Sequence, residues 1–542
     1  MATDTESGYA EGFGQVSRTV GTVFRYLLLA ATMFGIVTLA VLLVYVANDA
    51  IQPLTADAGW HLTFFLTLVV PTTLVGGYLY RRNTDALKLG STVVGMLAVA
   101  VLFSGGVAIV FVDIIPPLTG FSYAVGLVIP AALTVILTKY ERQISFTPRV
   151  AATGAAFFLS LFGVPGYLHS IPELVQKAPV VPSDWVILAL VLGGVAALVV
   201  GQYIARIRED ATAGLIAGVA ALVVTGLAAL LGPLLGYDSN SFVVVTAVAV
   251  VPTATYAGGA ALTRKRERIG LLLAGTVIVG SLVGAAAVDL LGFAGPQSWV
   301  NWQFLTNPHS SSAERAGLYP AIGGSILLMV TVAALSFPTG VGAAVYLEEY
   351  APDNRFTRFI DVNISNLAGV PSVVYGLLGL GVFVTYLGQA TGTVIIGGAT
   401  LALLILPIVI ISSREAIRAV PQDMRQASYG MGATRWQTVK NVVLPEAFPG
   451  ILTGTILALG RAIGETAPLI MIGAPNVLFS LPTELTSKVS AMPLQVYAWS
   501  TLFASEDFYT KAVPAGVVVL LVVLLAMNSI AIVLRNKFES ES

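Results

Sequence analysis

Long runs of apolar residues recur from one end of the chain to the other, and polar residues collect in the stretches between them. A run of about 18 or more apolar residues is long enough to cross a bilayer as a helix. Strands of a membrane barrel would instead alternate apolar and polar positions over about ten residues. The pattern therefore predicts an all-α polytopic membrane protein. The predicted spans, about fourteen, are residues 24–47, 61–80, 89–112, 121–138, 151–169, 185–205, 212–235, 241–262, 271–293, 320–345, 369–388, 392–411, 450–473 and 513–534.

Lysine and arginine fall in every second loop between the predicted spans. The loops that begin at Arg81 and Arg206 are cationic, and the polar segment 412–449 is the most cationic of all, whereas residues 48–60 contain no Lys or Arg. Short cytoplasmic loops of membrane proteins collect these residues. The pattern predicts a multi-pass protein of the cytoplasmic (cell) membrane with both termini in the cytoplasm.

Composition narrows the class further. Hydrophobic residues make up 56% of the 542-residue chain and charged residues 11%, against roughly 25% charged residues in soluble domains. The net charge of −1 gives no basic field for nucleic acid. The absence of cysteine excludes disulfides and thiol catalysis, and the three histidines lie too far apart in sequence to suggest a metal site.

The N-terminal half contains similar segments. Loops beginning at Arg81, Lys139, Arg206 and Arg264 are cationic, and three of them lead into Gly/Ala-rich spans. The segments are either a duplicated two-helix hairpin or unrelated spans that share a Leu/Ala/Val/Gly composition. Ionisable residues are nearly absent at mid-depth of the first eight spans, and buried charge in a membrane usually marks function. We therefore predict a scaffold or docking role, without transport chemistry, for residues 1–265.

The polar segment 412–449 contains residues that are typical of the starts and the turn of a helical hairpin. Pro421 suits the start of a helix, and Gly432 can adopt the backbone angles of a tight reversal. Thr434 and Gln437 have the spacing of a capping box. The second helix is predicted to end at Leu444, because a proline follows.

One acid and one base lie near the middle of the predicted span 450–473. Arg461 is eleven residues beyond Gly450, or about 16 Å along a helix, and Glu465 follows four residues later. A guanidinium offers a donor fork that matches phosphate oxygens, and Glu465 can neutralise it when the path is empty. The alternative is a purely structural ion pair.

The hairpin resembles the cytoplasmic loop of ABC importer permeases, whose pattern is E-A-A-x3-G-x9-I-x-L-P. This chain has Gln-Ala-Ser at 426–428, Gly432, and Val-Val-Leu-Pro at 442–445. The resemblance implies that the hairpin docks on an ATP-hydrolysing subunit; the alternative is a hairpin that packs only on its own protein. The residues implied in coupling are Gln426, Ala427, Ser428, Gly432, Thr434, Trp436, Leu444 and Pro445.

No G-x4-G-K-[ST] phosphate loop occurs in the chain. Because that loop cradles the phosphates of ATP, ATP and Mg are expected on a separate ATPase. The chain itself is expected to bind no cofactor and to be a transport subunit rather than an enzyme.

Three longer segments resemble PstA-type permeases of phosphate importers: FPTGVGAAVYLEEY at 337–350, DVNISNLAGVPSVVYGLLG at 361–379 and GRAIGETAP at 460–468. The resemblance implies a type I importer core of six spans in residues 266–542, with Arg461, Glu465 and Thr466 on the substrate pathway. It also implies three partners: a PstC-type permease, two copies of an ATPase and an extracytoplasmic phosphate-binding protein. Residues 1–265, about eight spans, lie outside it.

The predicted function is therefore the permease subunit of an ATP-driven phosphate importer. One alternative is an ABC permease for another oxyanion, such as molybdate or sulfate, since Arg461 suits any of them. The other is a secondary transporter, which would leave the pattern at 426–445 unexplained.

Overall fold

The computed structural model describes residues 18–139, 146–164, 167–178, 182–503 and 505–541, which are mostly helical and form no β-strand. Arg142, in a predicted cytoplasmic loop, lies outside the described residues. The principal helices are α1 (Arg18–Ile51), α2 (Ala58–Arg82), α3 (Thr84–Ile114), α4 (Pro117–Lys139), α5 (Phe146–Phe162), α6 (Asp184–Arg208), α7 (Ala211–Leu234), α8 (Ser239–Thr263), α9 (Arg268–Leu291), α10 (Tyr319–Tyr350), α11 (Arg355–Ala368), α12 (Ser372–Tyr386), α13 (Val394–Ala419), α14 (Gln422–Gly430), α15 (Arg435–Ala462), α16 (Ala467–Met471), α17 (Met492–Thr501) and α18 (Val513–Glu541).

Within the described residues, 12 helices are long and apolar enough to cross a membrane. The count becomes 13 if α11 and α12, which meet at 106°, form one bent span. The predicted span 151–169 overlaps α5 over residues 151–162 only, and α5, with 17 residues, is at the short end of the range for a span and is not one of these 12 helices. The predicted all-α polytopic class is confirmed.

In four of the spans, a wide π-type turn precedes a proline and the helix continues beyond it. The turns precede Pro71 in α2, Pro252 in α8, Pro445 in α15 and Pro514 in α18. In each turn the residue before the proline donates its N–H to the carbonyl five residues back. A proline has no N–H and clashes with the carbonyl four residues back, so a widened turn lets the helix continue.

The helix pairs α2–α3 and α8–α9 are built alike. Each contains a π-type turn, at 65–69 and 246–250, that runs into the sequence Val-Val-Pro-Thr at 69–72 and 250–253, and each has a Gly-Gly pair before its cationic loop. The pairs interlock, because α9 packs on α2 and α3 while α3 packs on α8. The shared irregularity favours duplication over a chance similarity of apolar spans.

The N-terminal helices join the C-terminal ones at one end of the molecule. The Tyr319 hydroxyl, at the start of α10, donates to Asp113 at 2.5 Å, and Ile114 beside it is buried. The Trp299 N–H donates to the carbonyl of Ala50 at 2.9 Å, and α1 and α3 pack on α18. The division at residue 265 remains a prediction, since α9 packs mainly on α2 and α3.

Helices α10, α13 and α15 pack around a shared cluster of buried apolar residues. Helix α13 packs against both neighbours, and small residues allow close approach. A side-chain carbon at Gly450 would meet Ala416, and one at Gly454 would meet Ser412. These contacts fix α13 and α15 as antiparallel neighbours.

An aromatic cluster closes the end of the core where the N-terminal helices dock. Trp499, on α17, is fully buried and donates its indole N–H to Nδ1 of His309 at 3.0 Å. The rings of Phe479, Phe503 and Phe508 surround the imidazole. Burial lowers the pKa of His309 below its usual range, so the ring is held neutral with Nδ1 as the acceptor.

We expect Gly270→Ala to destabilise the protein, because a side-chain carbon at Gly270 would overlap the carbonyl oxygen of Ala86 in α3. Overpacking of this kind costs about 1–3 kcal/mol. The apparent thermal unfolding midpoint of the detergent-solubilised protein measures it. Gly275→Ala, on the same helix with no atom within 4 Å of the added carbon, is the matched control; equal midpoints for the two variants would contradict the close packing.

We expect the stability of the protein to fall as the pH drops below about 6.5, the ordinary pKa of histidine. Because the pKa of His309 is lowered in the folded state, the unfolded state takes up the proton first, and the free energy of unfolding decreases with falling pH. Unfolding midpoints from pH 8 to about pH 5 test this. His309→Gln should flatten the profile, and the exposed His61, changed to Gln, should leave it unaltered.

Candidate functional site

The hairpin predicted at 421–445 is present. Pro421 caps α14 (Gln422–Gly430), and Gly432 takes a φ of 81°, in the left-handed region that favours glycine. The Thr434 N–H donates to Oε1 of Gln437 at 2.8 Å, and the Gln437 N–H donates to Oγ1 of Thr434 at 3.3 Å. The predicted capping box is confirmed.

The second helix of the hairpin does not end at Leu444, as the sequence predicted. Helix α15 runs without a break from Arg435 to Ala462. The N–H of Leu444 reaches back to the carbonyl of Val439 in a π-type turn, which accommodates Pro445. The hairpin is therefore continuous with a membrane span.

Most of the eight residues predicted for coupling lie on the outer surface of the hairpin. Ser428 is the exception: it is buried, and its hydroxyl shares a hydrogen bond of 2.9 Å with that of Thr438. Leu444 is half-buried. The exposed members are Gln426, Ala427, Gly432, Thr434, Trp436 and Pro445.

Arg461 and Glu465 form an ion pair, with Nε and Oε1 3.3 Å apart. They do not share one helix, because α15 ends at Ala462 and Glu465 and Thr466 lie in the turn before α16. The predicted span 450–473 is therefore interrupted after Ala462, and the expectation that Glu465 follows Arg461 on the same helix is wrong. The turn forms where Gly464 and Pro468 interrupt regular hydrogen bonding.

The Arg461 side chain is 45% exposed at the surface of the chain, whereas that of Glu465 is 18% exposed. Its depth follows from the pairing of α15 with α13. If Gly454 is level with Ser412, then Arg461 lies near Ile405, about 16 Å from the start of α13. That position is close to the middle of a hydrocarbon layer about 30 Å thick.

A group of six charged side chains, which we term the ion cluster, joins the hairpin to three membrane helices. Glu348 accepts from Nε of Arg414 at 2.7 Å and from Arg418 at 2.6 Å. Arg414 also reaches both oxygens of Asp361, at 2.6 and 3.3 Å. The members are Glu348, Glu349, Asp361, Arg414, Arg418 and Arg425.

The hairpin's own contribution to the ion cluster is Arg425, on α14. Its guanidinium pairs with Glu349 and donates to the carbonyl of Ile417 at 2.6 Å. Arg425 is 9% exposed and Glu349 4% exposed. A buried pair in which one partner is removed leaves an uncompensated charge, so the two residues depend on each other.

Known proteins resemble the part of the chain that contains the hairpin and the ion cluster. Residues 336–540 match the family of binding-protein-dependent transport system inner membrane components. Probable ABC transporter permease protein YqgI of Bacillus subtilis is 36% identical over 229 residues, which are 42% of this chain and 75% of that protein. The chain belongs to this family of transport permeases.

Two further relatives of the permease have a phosphate system in their names. Phosphate transport system permease protein PstA 1 of Mycobacterium tuberculosis is 32% identical, with 40% of this chain and 70% of that protein covered. Phosphate transport system permease protein PstC of Mesorhizobium japonicum is 28% identical, with 48% and 86% covered. The inward-facing MetNI methionine ABC transporter is a structural neighbour with a TM-score of 0.34 and 16% identity, covering 41% of this chain and 97% of that chain.

The sequence indicated the hairpin and the Arg461–Glu465 pair of the permease but missed the ion cluster. Glu348 and Glu349 belong to the segment 337–350 that resembles PstA-type permeases, and Arg414 and Arg425 are two of the cations in the segment 412–449. A signal was present: two adjacent acids end one span, and Arg414 and Arg418 are four residues apart at the end of another. Among the described residues, no group of three His, Asp or Glu could hold a metal ion.

Proposed function

We propose that this permease is the membrane subunit of an ATP-driven importer of inorganic phosphate. The carrying observation is the Arg461–Glu465 pair, a guanidinium at mid-depth of a membrane span with its carboxylate at 3.3 Å. A guanidinium presents a fork of donors that matches the oxygens of phosphate. The likeness to PstA-type relatives, in which phosphate is named, supports this anion over others.

The exposure of Arg461 bears on how the pathway is built. A charge that faced lipid would be strongly unfavourable, yet nearly half of this side chain is uncovered by its own protein. We propose that a second, PstC-type permease subunit covers Arg461, Glu465 and Thr466 and forms the other wall of the pathway. The likeness to a PstC protein is consistent with such a pair.

The hairpin is the proposed contact with the ATPase. Trp436 and Met431 are 57% and 83% exposed at its tip, and a large exposed apolar surface commonly marks a protein interface. We propose that two copies of a separate ATPase bind this hairpin and its counterpart on the partner permease, on the cytoplasmic side together with both termini. A phosphate-binding protein delivers substrate on the opposite side.

Residues 1–265 are proposed to be an extra scaffold or docking region, and residues 266–542 the transport core. The secondary-transporter alternative is not favoured, because the exposed hairpin with its capping box would have no role in it. Another oxyanion remains the second candidate, since the chemistry of Arg461 suits molybdate or sulfate equally.

Reconstitution of the four-component complex in proteoliposomes tests the proposal. Uptake of radioactive phosphate should require ATP, and arsenate should compete while molybdate and sulfate do not. Uptake without ATP would support a secondary transporter. Competition by molybdate or sulfate would point to another oxyanion.

We expect Arg461→Ala to lower phosphate uptake by at least about tenfold, because hydrogen bonds to a charged group contribute about 1.5–3 kcal/mol. Assembly with the ATPase should be unaffected, since residues 421–445 of the hairpin are unchanged. Arg264→Ala, which removes an exposed ion pair with Glu267, is the matched control. Uptake at the wild-type rate in Arg461→Ala would remove the pathway assignment.

We expect Gly432→Pro to uncouple ATP hydrolysis from uptake. Proline is fixed near a φ of −65°, whereas Gly432 has a φ of 81°, so the turn between α14 and α15 would have to rearrange. Phosphate transported per ATP hydrolysed is the measurement. Gly430→Ala adds a carbon with no atom within 4 Å and should be silent; unchanged coupling in Gly432→Pro would contradict the docking role.

A further inference from the structure

The ion cluster connects α14, which packs mainly on the second helix of the hairpin, to α10 and α13. Arg425 of α14 pairs with Glu349 at the end of α10. Both side chains are more than nine-tenths buried, and Arg425 is also bonded to the carbonyl of Ile417 in α13. Charge-assisted bonds in such surroundings are short and directional. A displacement of α14 would therefore displace the end of α10 as well.

Glu348, the neighbour of Glu349 in the chain, extends the connection to α11. It binds Arg414 of α13, and the Arg414 fork binds both oxygens of Asp361 on α11. Helix α11 has no fully buried residue of its own. Its position therefore depends strongly on the Asp361–Arg414 contact.

The far end of α11 leads toward Arg461. The Tyr375 hydroxyl, in the first turn of α12, donates to the carbonyl of Leu367 at 2.8 Å. Tyr375 packs in the same buried cluster as Ala458 and Ala462, which flank Arg461 on α15, and it lies within electrostatic reach of that guanidinium. Side-chain contacts, together with helix α11 between them, thus lead from α14 to α12 beside Arg461.

We propose that the ion cluster is the linkage by which movement of the hairpin reaches α11 and the surroundings of Arg461. In this proposal Glu349 and Arg425 fasten the hairpin, and Glu348, Arg414 and Asp361 position α11. They are positioning residues and do not touch the substrate. The inference rests on the proposed function, in which the hairpin receives the force of ATP-driven closure.

The linkage has an observable consequence besides transport activity. A contact that only supports the fold would lower the amount of intact complex, but the surviving complex would couple normally. A contact that transmits movement would, when broken, leave the hairpin responding to nucleotide while α11 stops responding. The natural chain has no cysteine, so labels can be introduced at single sites without background.

The experiment uses the full complex in nanodiscs with spin labels on cysteine pairs. Leu290, 86% exposed on α9, serves as the reference, paired in one sample with Lys440 on α15 and in another with Arg358 on α11. Distances are measured without nucleotide and with ATP and vanadate. In the otherwise unaltered complex, both pairs should shift between the two states.

Asp361→Asn is the test variant, because it removes the charge that holds Arg414 and keeps the size of the side chain. We expect the Lys440 shift to persist, the Arg358 shift to vanish, and phosphate transported per ATP to fall by about fivefold or more. Asp361→Glu should restore part of the Arg358 shift and part of the phosphate transported per ATP. Asp353→Asn, which changes a 93% exposed acid just before the same helix, is the matched control and should behave as the unaltered chain.

Two results would overturn the proposal: an Arg358 shift in Asp361→Asn equal to that of the control, or an unchanged ratio of phosphate to ATP. If Asp361→Asn does not assemble, Arg414→Lys, which keeps the charge but loses the fork, is measured in the same way with the same outcomes. Failure of the proposed function would look different, because the unaltered complex would then show no ATP-dependent uptake at all.

Discussion

The structure depends on one constraint: in an apolar layer every backbone polar group must find a partner within the protein. Helices meet it except where a proline removes an N–H, and in four of the described spans a widened turn precedes such a proline. Pro71, Pro252, Pro445 and Pro514 each follow a widened turn that re-pairs the neighbouring carbonyl. The same device lets a surface hairpin continue into a membrane span at Pro445, so the hairpin and the span move as one helix.

Ionisable side chains also need partners within the protein. Ionisable groups are expensive in the membrane, and two groups of paired charges stand out among the described C-terminal helices. One is the Arg461–Glu465 pair, which stays partly open, and the other is the ion cluster, where each acid has at least one guanidinium partner. The Arg461–Glu465 pair joins α15 to the turn that follows it, whereas the ion cluster ties α10, α11, α13 and α14 to one another.

The sequence predicted what depends on local pattern and missed what depends on partners from distant segments. Apolar length was enough for the spans, and the spacing of Thr434 and Gln437 was enough for the capping box. The prediction that the helix ends before Pro445 is wrong. A proline is a strong sequence signal for a helix end, whereas the π-type turn that lets the helix continue has no comparable signal. The ion cluster was missed because Glu349 and Arg425 are 76 residues apart, and no periodicity relates them.

The docking of the N-terminal helices has a geometric consequence for the assembled transporter. The hydrogen bond between Tyr319 and Asp113 and the packing of α1 and α3 on α18 occupy one flank of the core. The surface of α18 that α1 and α3 cover is closed to any further subunit. A subunit that joins the core must therefore bind surface that these helices leave uncovered.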